Sequence, residues 1–406
     1  MATRRQSKHA QRRPSLAGWR GPHFGYVSGQ TYICATMLSL ILTCLLAFCA
    51  TLVGMPSLIA VAKRKHLVDE PTEARKIHHR SVPTIGGLMV FAALMSSSLV
   101  SFAIQQPESN HLHVWVGILG AAMLVFFMGL KDDIVVMSAS RKLFVHMAVG
   151  AYLVGALDLR IDDFGGLFGL GHIPFWVSAP FSWFVYIVVV NAVNLIDGLD
   201  GLIGGFGTIV MMAFGVWFFQ TGDLASAIVA LSTAGALMGF LVFNFNPARI
   251  FMGDGGSLLL GLIVYAMAIR VMQTPADVAL DGLVQPVAAM CMLAYPLVDT
   301  LRVFTLRVLD GRSPFSPDRW HIHHKLMELG LGHKKSSGAI WLYTLFFVLL
   351  AYLPNSAWFG LDATGQFMVL LGLAFGIGTV PALLVRAKSQ APANPAKPKP
   401  LSLIHI

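Results

Sequence analysis

The sequence has few charged residues. They make up 12% of its 406 residues, whereas hydrophobic residues make up 56%. Because a soluble globular domain carries about 25% charged residues, this composition excludes one and predicts that lipid surrounds most of the chain. Cysteine is also scarce. The four cysteines lie in apolar segments and lack the paired spacing of a disulfide framework or a zinc site, so we interpret them as packing residues.

Lys and Arg are missing from four alternate connections between apolar runs. Neither residue occurs in 105–111, 221–223, 274–281 or 355–362. The basic connections are 63–80, 131–142, residue 249 and 302–335. Since basic residues near span ends stay in the cytoplasm, these connections are predicted to face it. The net charge of +9 arises from these short stretches and not from one basic face, which argues against nucleic-acid binding.

Eleven apolar runs approach the roughly 20 residues that a helix needs to cross a bilayer. They centre on Leu42, Met95, Ala122, Ala151, Val188, Val210, Ala234, Val264, Met290, Leu345 and Leu371. The predicted fold class is therefore all-α: a polytopic integral membrane protein with about 11 transmembrane helices. We expect a single transmembrane domain over residues 31–388, because no other stretch is large enough to fold as a soluble domain.

The two ends of the chain do not fit this domain. Alternation of the basic loops places the N-terminus outside, but the leader, residues 1–30, carries six Lys and Arg that should stay inside. We expect this leader to be disordered or to precede the true start, for which Met37 is a candidate. Residues 389–406 form a tail rich in Pro, Ala and Lys, which cannot pack a core and is expected to be disordered.

Polar residues cluster where the apolar runs end on the predicted cytoplasmic side. Ionisable groups at such positions are costly and tend to mark function. Asp132 and Asp133 end the third run, and Lys142 opens the fourth. Paired aspartates can share a divalent cation or position a phosphate through it. By themselves, these three residues fit an ordinary solvated helix end equally well.

Three polar residues, Asn194, Asp197 and Asp200, follow the fifth run. A spacing of three predicts that neighbouring members share a helix face, while Gly198 and Gly201 permit a tight turn beside a ligand. Buried amides and carboxylates without a task are costly in lipid, so a binding role is favoured over simple packing.

A third polar segment runs from Asn244 to Ser257 and leads into the eighth run. Asp254 precedes Gly255 and Gly256, which places a carboxylate beside a helix N-terminus whose N–H groups and dipole favour phosphate. A carboxylate and a phosphate need a cation between them, so Asp254 is the predicted metal ligand. An Asp cap followed by a glycine turn is the alternative interpretation.

The longest basic loop carries Arg319, His321, His323 and His324. Arg offers paired donors to phosphate oxygens and His offers a smaller, titratable one, so a pyrophosphate site is favoured. Three histidines could instead hold a metal, but the sequence nearby has no thiolate and no HExxH pattern.

Together and in this order, these motifs resemble the polyprenyl-phosphate N-acetylhexosamine-1-phosphate transferase family, from about Asp69 to Gly332. The resemblance implies an all-helical membrane enzyme that uses Mg²⁺, with Mn²⁺ as a substitute. The implied catalytic residues and metal ligand are Asp132, Asp133, Asp197, Lys142 and, for the metal, Asp254. The implied substrate-binding residues are Asn194, Asp200, Asn244, Arg319, His321, His323, His324, His78 and Arg80.

The run Arg-Ser-Pro-Phe-Ser-Pro-Asp-Arg, followed by His-Ile-His-His, resembles the branch that initiates O-antigen, enterobacterial common antigen or teichoic acid synthesis. This branch implies transfer of GlcNAc-1-phosphate, or a related amino sugar, from its UDP donor to undecaprenyl phosphate, with release of UMP. The peptidoglycan branch, which uses UDP-MurNAc-pentapeptide, usually carries His-His-His-Phe at this place and is the alternative.

The resemblance also implies a multi-pass protein of the bacterial inner membrane whose active site faces the cytoplasm, and it is compatible with a homodimer. The expected partners are the UDP-amino sugar, the polyprenyl phosphate and the bilayer, with no nucleic acid. The expected reaction is attack of the lipid phosphate oxygen on the β-phosphorus of the UDP-sugar. A secondary transporter is the alternative of a different class. However, no inverted repeat is evident, and the polar residues cluster at one membrane face instead of the midplane.

Overall fold

The chain folds into thirteen α-helices and one short antiparallel strand pair within the residues that the computed structural model describes, 29–65, 68–69, 82–275, 278–313 and 319–390. The helices are α1 Gly29–Arg64, α2 Gly87–Gln105, α3 Ser109–Ile134, α4 Ala139–Gly155, α5 Phe175–Leu195, α6 Leu202–Thr221, α7 Leu224–Asn244, α8 Gly253–Met272, α9 Gln285–Met292, α10 Ala294–Leu309, α11 Ile322–Glu328, α12 His333–Ala351 and α13 Ala363–Gln390. Strand β1 (Val68–Asp69) pairs with β2 (Val82–Pro83). The predicted all-α class is confirmed. Most of the predicted leader and tail, residues 1–28 and 391–406, lies outside the described residues.

The predicted count of eleven membrane spans is not confirmed, although every predicted centre lies on a helix. Eight described helices are long and apolar enough to cross a bilayer: α1, α2, α3, α5, α6, α7, α8 and α13. Helices α9 and α10 meet at a bend of 78° and together would make a ninth span. Helix α4 has only 17 residues, and α12 begins with a polar turn that includes Lys334 and Lys335. The protein is nevertheless a multi-pass membrane protein.

Helix α8 lies at the centre of the helical bundle. Sixteen of its twenty residues are buried, and it packs against α2, α3, α5 and α9. A helix that is apolar all round its circumference can face either lipid or other helices, and α8, with its uninterrupted apolar run, is enclosed by other helices. Its first turn is therefore held at a fixed place among the ends of its neighbours. By contrast, only five of the 28 residues of α13 are buried.

Polar side chains gather at both ends of the bundle. At the end where α7 begins and α8 finishes, the Asp223 carboxylate accepts a hydrogen bond of 2.6 Å from Arg270 and lies 3.0 Å from His111 Nδ1. Burial opposes the charge on Asp223, but His111 and Arg270 outweigh it and hold the pKa of that carboxyl well below its usual range. The polar motifs around Asp132, Asp197 and Asp254 lie at the opposite end, where α3, α5 and α7 finish and α8 begins.

Glycine allows α3 and α8 to approach closely at that opposite end. Gly253 has a φ of +75°, and a Cβ there would lie 2.6 Å from Asp133 Oδ2. A Cβ on Gly129 would lie 2.7 Å from the Asp254 carbonyl oxygen. Both distances are shorter than real side chains tolerate, so larger residues would push the start of α8 away from the end of α3.

We expect Gly253→Ala to lower the apparent melting temperature of the purified protein well beyond the effect of Gly360→Ala. Both glycines have positive φ, so alanine costs about 1–2 kcal/mol of backbone strain at either position. Gly360 has no heavy atom within 4 Å of its added Cβ, whereas a Cβ on Gly253 would clash with the Thr84 carbonyl oxygen and with Asp133. Equal melting shifts for the two variants would show that the close packing around Gly253 contributes nothing to stability.

Candidate active site

The carboxylate of Asp133 joins the end of α3 to the start of α8. Its Oδ1 accepts from the backbone N–H of Asp254 at 2.8 Å, and its Oδ2 accepts from that of Gly255 at 3.0 Å. These two N–H groups belong to the first turn of α8, where backbone N–H groups have no acceptor within their own helix. The sequence predicted that the backbone N–H groups beside Asp254 are open to phosphate. For the N–H groups of Asp254 and Gly255 this prediction is wrong, because the Asp133 carboxylate of α3 already accepts from them.

Lys142, in the first turn of α4, links two acidic residues from different helices. Its ammonium forms an ion pair with Asp132 and a second one with Asp254 Oδ2 at 3.0 Å. The other Asp132 oxygen accepts from the backbone N–H of Met137 at 2.6 Å. The three side chains are only part-exposed, with about a third of Lys142 and of Asp254 open to solvent. The structure thus brings together the predicted residues of the third, fourth and eighth apolar runs.

The end of α5 adds Asn194 and Asp197 to this group. Asn194 Nδ2 donates to Asp254 Oδ1 at 3.1 Å and to Ser257 Oγ at 2.7 Å, so it fixes the Asp254 carboxylate from the side opposite Lys142. Burial, and then the charges of Asp254 and Asp133, raise the pKa of Asp197 to about 7. The carboxylates of α3 and α8 are therefore close enough to act on Asp197 in the turn after α5.

Asp200 lies apart from that carboxylate group, although it is only three residues from Asp197. Its Oδ2 accepts from Asn246 Nδ2 at 2.7 Å and from the Ala248 N–H at 3.0 Å, and its Oδ1 lies 3.5 Å from His333. Burial opposes its charge, but the hydrogen bonds of His333, Ala248 and Asn246 outweigh this and lower the pKa of Asp200.

The expectation that Asp197 and Asp200 share a helix face is wrong. Helix α5 ends at Leu195, and residues 196–201 form turns in which Gly201 has a φ of +77°. The backbone reversal sends the two carboxylates to different neighbours. Asn244, at the end of α7, stabilises this backbone reversal. Its Oδ1 accepts from the Gly201 N–H at 2.9 Å, and its Nδ2 donates to the Ile250 carbonyl at 2.9 Å.

The histidine segment at the start of α11 packs against the turn after α5. A Cβ on Gly198 would lie 2.8 Å from His323 Nε2, so the ring covers the residue next to Asp197. Burial and the neighbouring His324 lower the pKa of His323 to about 3, which keeps that ring neutral. Burial also lowers the pKa of His324. Arg319 is exposed and, as a permanently charged donor, is better suited to an anionic ligand than the neutral His323.

Sequence reasoning missed one group that supports the histidines. His321 Nδ1 lies 2.9 Å from a carboxylate oxygen of Asp299, and Arg302 contacts the same aspartate at 3.4 Å. The available signal was an acidic residue three positions before an arginine inside the apolar run 294–309. His78 and Arg80, which the resemblance also implied, lie outside the described residues.

The donor set around Asp254 fits Mg²⁺. This ion prefers oxygen ligands, takes one or two protein carboxylates and keeps several waters. Among the described residues, no three His, Cys, Asp or Glu side chains form a ready-made metal cage. Asp254 is part-exposed, and Asp197 faces it, so both carboxylates could contribute.

The chain is similar to known transferases. Residues 115–272 match the model of glycosyl transferase family 4, a range that includes Asp132, Asp197 and Asp254. A probable undecaprenyl-phosphate N-acetylglucosaminyl 1-phosphate transferase of Bacillus subtilis is 29% identical over 79% of this chain and 86% of its own length. The undecaprenyl-phosphate alpha-N-acetylglucosaminyl 1-phosphate transferase of Yersinia pestis is 31% identical over 72% of this chain and 77% of its own length. The corresponding Escherichia coli K12 protein is 31% identical over 72% and 76%. The chain therefore belongs to glycosyl transferase family 4, in the branch of the undecaprenyl-phosphate N-acetylglucosaminyl 1-phosphate transferases.

Proposed function

We propose that the protein transfers GlcNAc-1-phosphate from UDP-GlcNAc to undecaprenyl phosphate and releases UMP. The observation that carries this proposal is the convergence of Asp132, Asp197, Asp254 and Lys142 where apolar helices end. At such a boundary a lipid-borne phosphate and a water-soluble nucleotide sugar can meet. The names of the similar proteins support the same substrates.

In the proposed reaction, an oxygen of the lipid phosphate attacks the β-phosphorus of UDP-GlcNAc. A new P–O bond forms while the bond to the UMP oxygen breaks, so the products are UMP and a polyprenyl diphosphate sugar. Because the second pKa of a phosphate monoester is about 6, the nucleophile is already largely ionised near neutral pH. The protein then has to position the two substrates and stabilise charge more than remove a proton.

Asp254 is the proposed principal ligand of Mg²⁺, and Asp197 is the second carboxylate in reach. When bound, Mg²⁺ supplies positive charge that neutralises the diphosphate and the leaving UMP. Asn194 orients the Asp254 carboxylate, and Lys142 holds it near Asp132. The Lys142 ammonium also presents a cation at the boundary where a phosphate would enter.

The two neighbouring aspartates are proposed to have different tasks. Both oxygens of Asp133 are engaged by the backbone of α8, so this residue positions the helix that carries Asp254. Asp132 pairs with the ammonium of Lys142 and is the better candidate to place the lipid phosphate. Asp200 and Asn244 hold the turn that borders the nucleotide site.

We further propose that the site faces the cytoplasm of a bacterial cell, in the inner membrane, because the basic connections lie at the same bundle end as the carboxylates. A nucleotide sugar is a cytoplasmic substrate, and the reaction would be the first membrane step of a cell-envelope polysaccharide such as O-antigen. Assembly as a homodimer remains part of this proposal.

A secondary transporter fits the structure less well. Transporters bind their substrates near the bilayer midplane, between broken helices. Here the carboxylate group lies at helix ends, and its members come from the end of α3, the turn after α5 and the start of α8.

The first test is whether catalysis needs both substrates. We expect purified protein in detergent to release UMP from UDP-GlcNAc in the presence of Mg²⁺ and undecaprenyl phosphate, and to release none when the lipid is omitted. Coupled detection of UMP measures this directly. Accumulation of UDP-GlcNAc inside sealed proteoliposomes, without UMP release, would support the transporter instead.

The donor is tested by competition between nucleotide sugars. We expect UDP-GlcNAc, or a related UDP-N-acetyl-amino sugar, to be turned over with a higher kcat/KM than UDP-MurNAc-pentapeptide, because the loop carries His-Ile-His-His instead of His-His-His-Phe. Mass spectrometry of the lipid products identifies the sugar. A preference for the pentapeptide donor would assign the protein to the peptidoglycan branch.

The metal ligand is tested by Asp254→Asn, which keeps the size of the side chain and removes its charge. We expect normal membrane yield and a kcat at least about a hundredfold lower, the scale of losing one strong electrostatic contact in a transition state. Asp362→Asn is the matched control: Asp362 caps α13 through the Gly365 N–H, a role that asparagine also performs. Normal turnover of Asp254→Asn with an unchanged Mg²⁺ requirement would move the metal to Asp197 or to the Asp132 and Asp133 pair.

A further inference from the structure

Asp299 is a fully buried carboxylate in α10, whose other charged residues are Arg302 and Arg307. It lies six residues after Leu293, where α9 and α10 meet at the bend, and 0% of its surface is exposed. Burying a charge in such a place is costly, and only good pairing and hydrogen bonds offset that cost. A residue with a mere packing role would be apolar, so the contacts of Asp299 should explain its presence.

Asp299 holds the histidine segment through hydrogen bonds of its two carboxylate oxygens. One oxygen lies 2.9 Å from His321 Nδ1. The other accepts from the backbone N–H of Ile322, the first residue of α11, at 2.8 Å. Arg302, one turn along α10, lies 3.4 Å from that same oxygen and also donates to the Trp320 carbonyl. A single carboxylate thus fixes both the ring of His321 and the start of α11.

The hydrogen bond determines which nitrogen of His321 carries a proton. A carboxylate only accepts, so Nδ1 must be the N–H donor, and Nε2 is the nitrogen left for another partner. The same logic governs metal-binding histidines, whose second nitrogen is oriented by a carboxylate and whose function depends on that support. His321 stands beside His323 with ring centroids 5.5 Å apart, and His323 covers the turn that carries Asp197.

We propose that Asp299 is a positioning residue for the transferase reaction: it fixes the His321 ring and anchors the histidine segment against the membrane helices, so that His321 Nε2 is presented to the diphosphate of the donor. This inference rests on the proposed function. Asp299 itself, being fully buried, does not touch the substrate.

The chain contains a matched control for a buried aspartate with the same kinds of partners. Asp223 also pairs with an arginine and a histidine, Arg270 and His111, and it too accepts from a backbone N–H at the start of a helix, that of Ser226. It lies at the opposite end of the bundle, about 30 Å along α7 from Asn244, because each of the 21 residues of α7 adds 1.5 Å.

The test compares Asp299→Asn with Asp223→Asn in the full-length protein. Asparagine still accepts from the Ile322 N–H, but its amide donates to His321 Nδ1 and so moves the ring proton to Nε2. We expect kcat for UMP release from UDP-GlcNAc to fall about 10- to 100-fold in Asp299→Asn, with little change in KM or melting temperature. We expect Asp223→Asn to retain the kcat of the wild type.

A double-mutant cycle with His321→Gln separates positioning from general stability. If Asp299 acts through His321, the double variant should be no slower than His321→Gln alone, because Asp299 then has no imidazole ring to orient. The proposal is overturned if the kcat losses of the two single variants multiply in the double variant. It is also overturned if Asp299→Asn keeps the kcat of the wild type, or if its melting temperature falls more than that of Asp223→Asn. Absence of UMP release by the wild type would instead contradict the proposed function.

Discussion

The hydrogen bonds from the first turn of α8 to the Asp133 carboxylate are the interaction on which the site depends. They connect the end of α3 with the start of the most enclosed helix of the bundle, and they satisfy N–H groups that have no partner within α8. Asp254 belongs to that first turn. Its carboxylate is therefore held in one place, where Lys142 reaches it from α4 and Asn194 reaches it from α5.

Two groups of paired charges lie at opposite ends of the helical bundle. Asp223 and Arg270 form one such pair, and Lys142 with Asp132 and Asp254 forms the other group. The two ends differ in how far the charges are compensated. Arginine and histidine surround Asp223, whereas Asp132 and Asp254 share Lys142 at the site. There, burial and the charges of Asp254 and Asp133 raise the pKa of Asp197. An excess of carboxylates at a part-exposed boundary suits a cation and phosphates, which explains why chemistry is expected at this end only.

The apolar body of the chain and its polar loops have separate tasks in this arrangement. The enclosed helices provide a rigid frame, since their close packing allows little relaxation. The turns after α5 and α7 and the histidine segment rest on that frame through specific hydrogen bonds, such as those of Asn244 to Gly201 and Ile250. The frame thus presents these polar turns together at one boundary between lipid and water.

The sequence by itself determined the all-helical membrane class and the residues that meet at the site, because apolar runs and rare polar residues are local features of a chain in lipid. Asp132, Asp133, Lys142, Asn194 and Asp254 are brought together as those local patterns indicated. The number of spans was beyond local reasoning, since a short helix such as α4 or the bend between α9 and α10 depends on the neighbouring helices. The partners of each polar atom were also decided only by tertiary structure. Whether an aspartate caps a helix, as Asp133 does, or supports a histidine, as Asp299 does, depends on atoms more than twenty positions away in the chain.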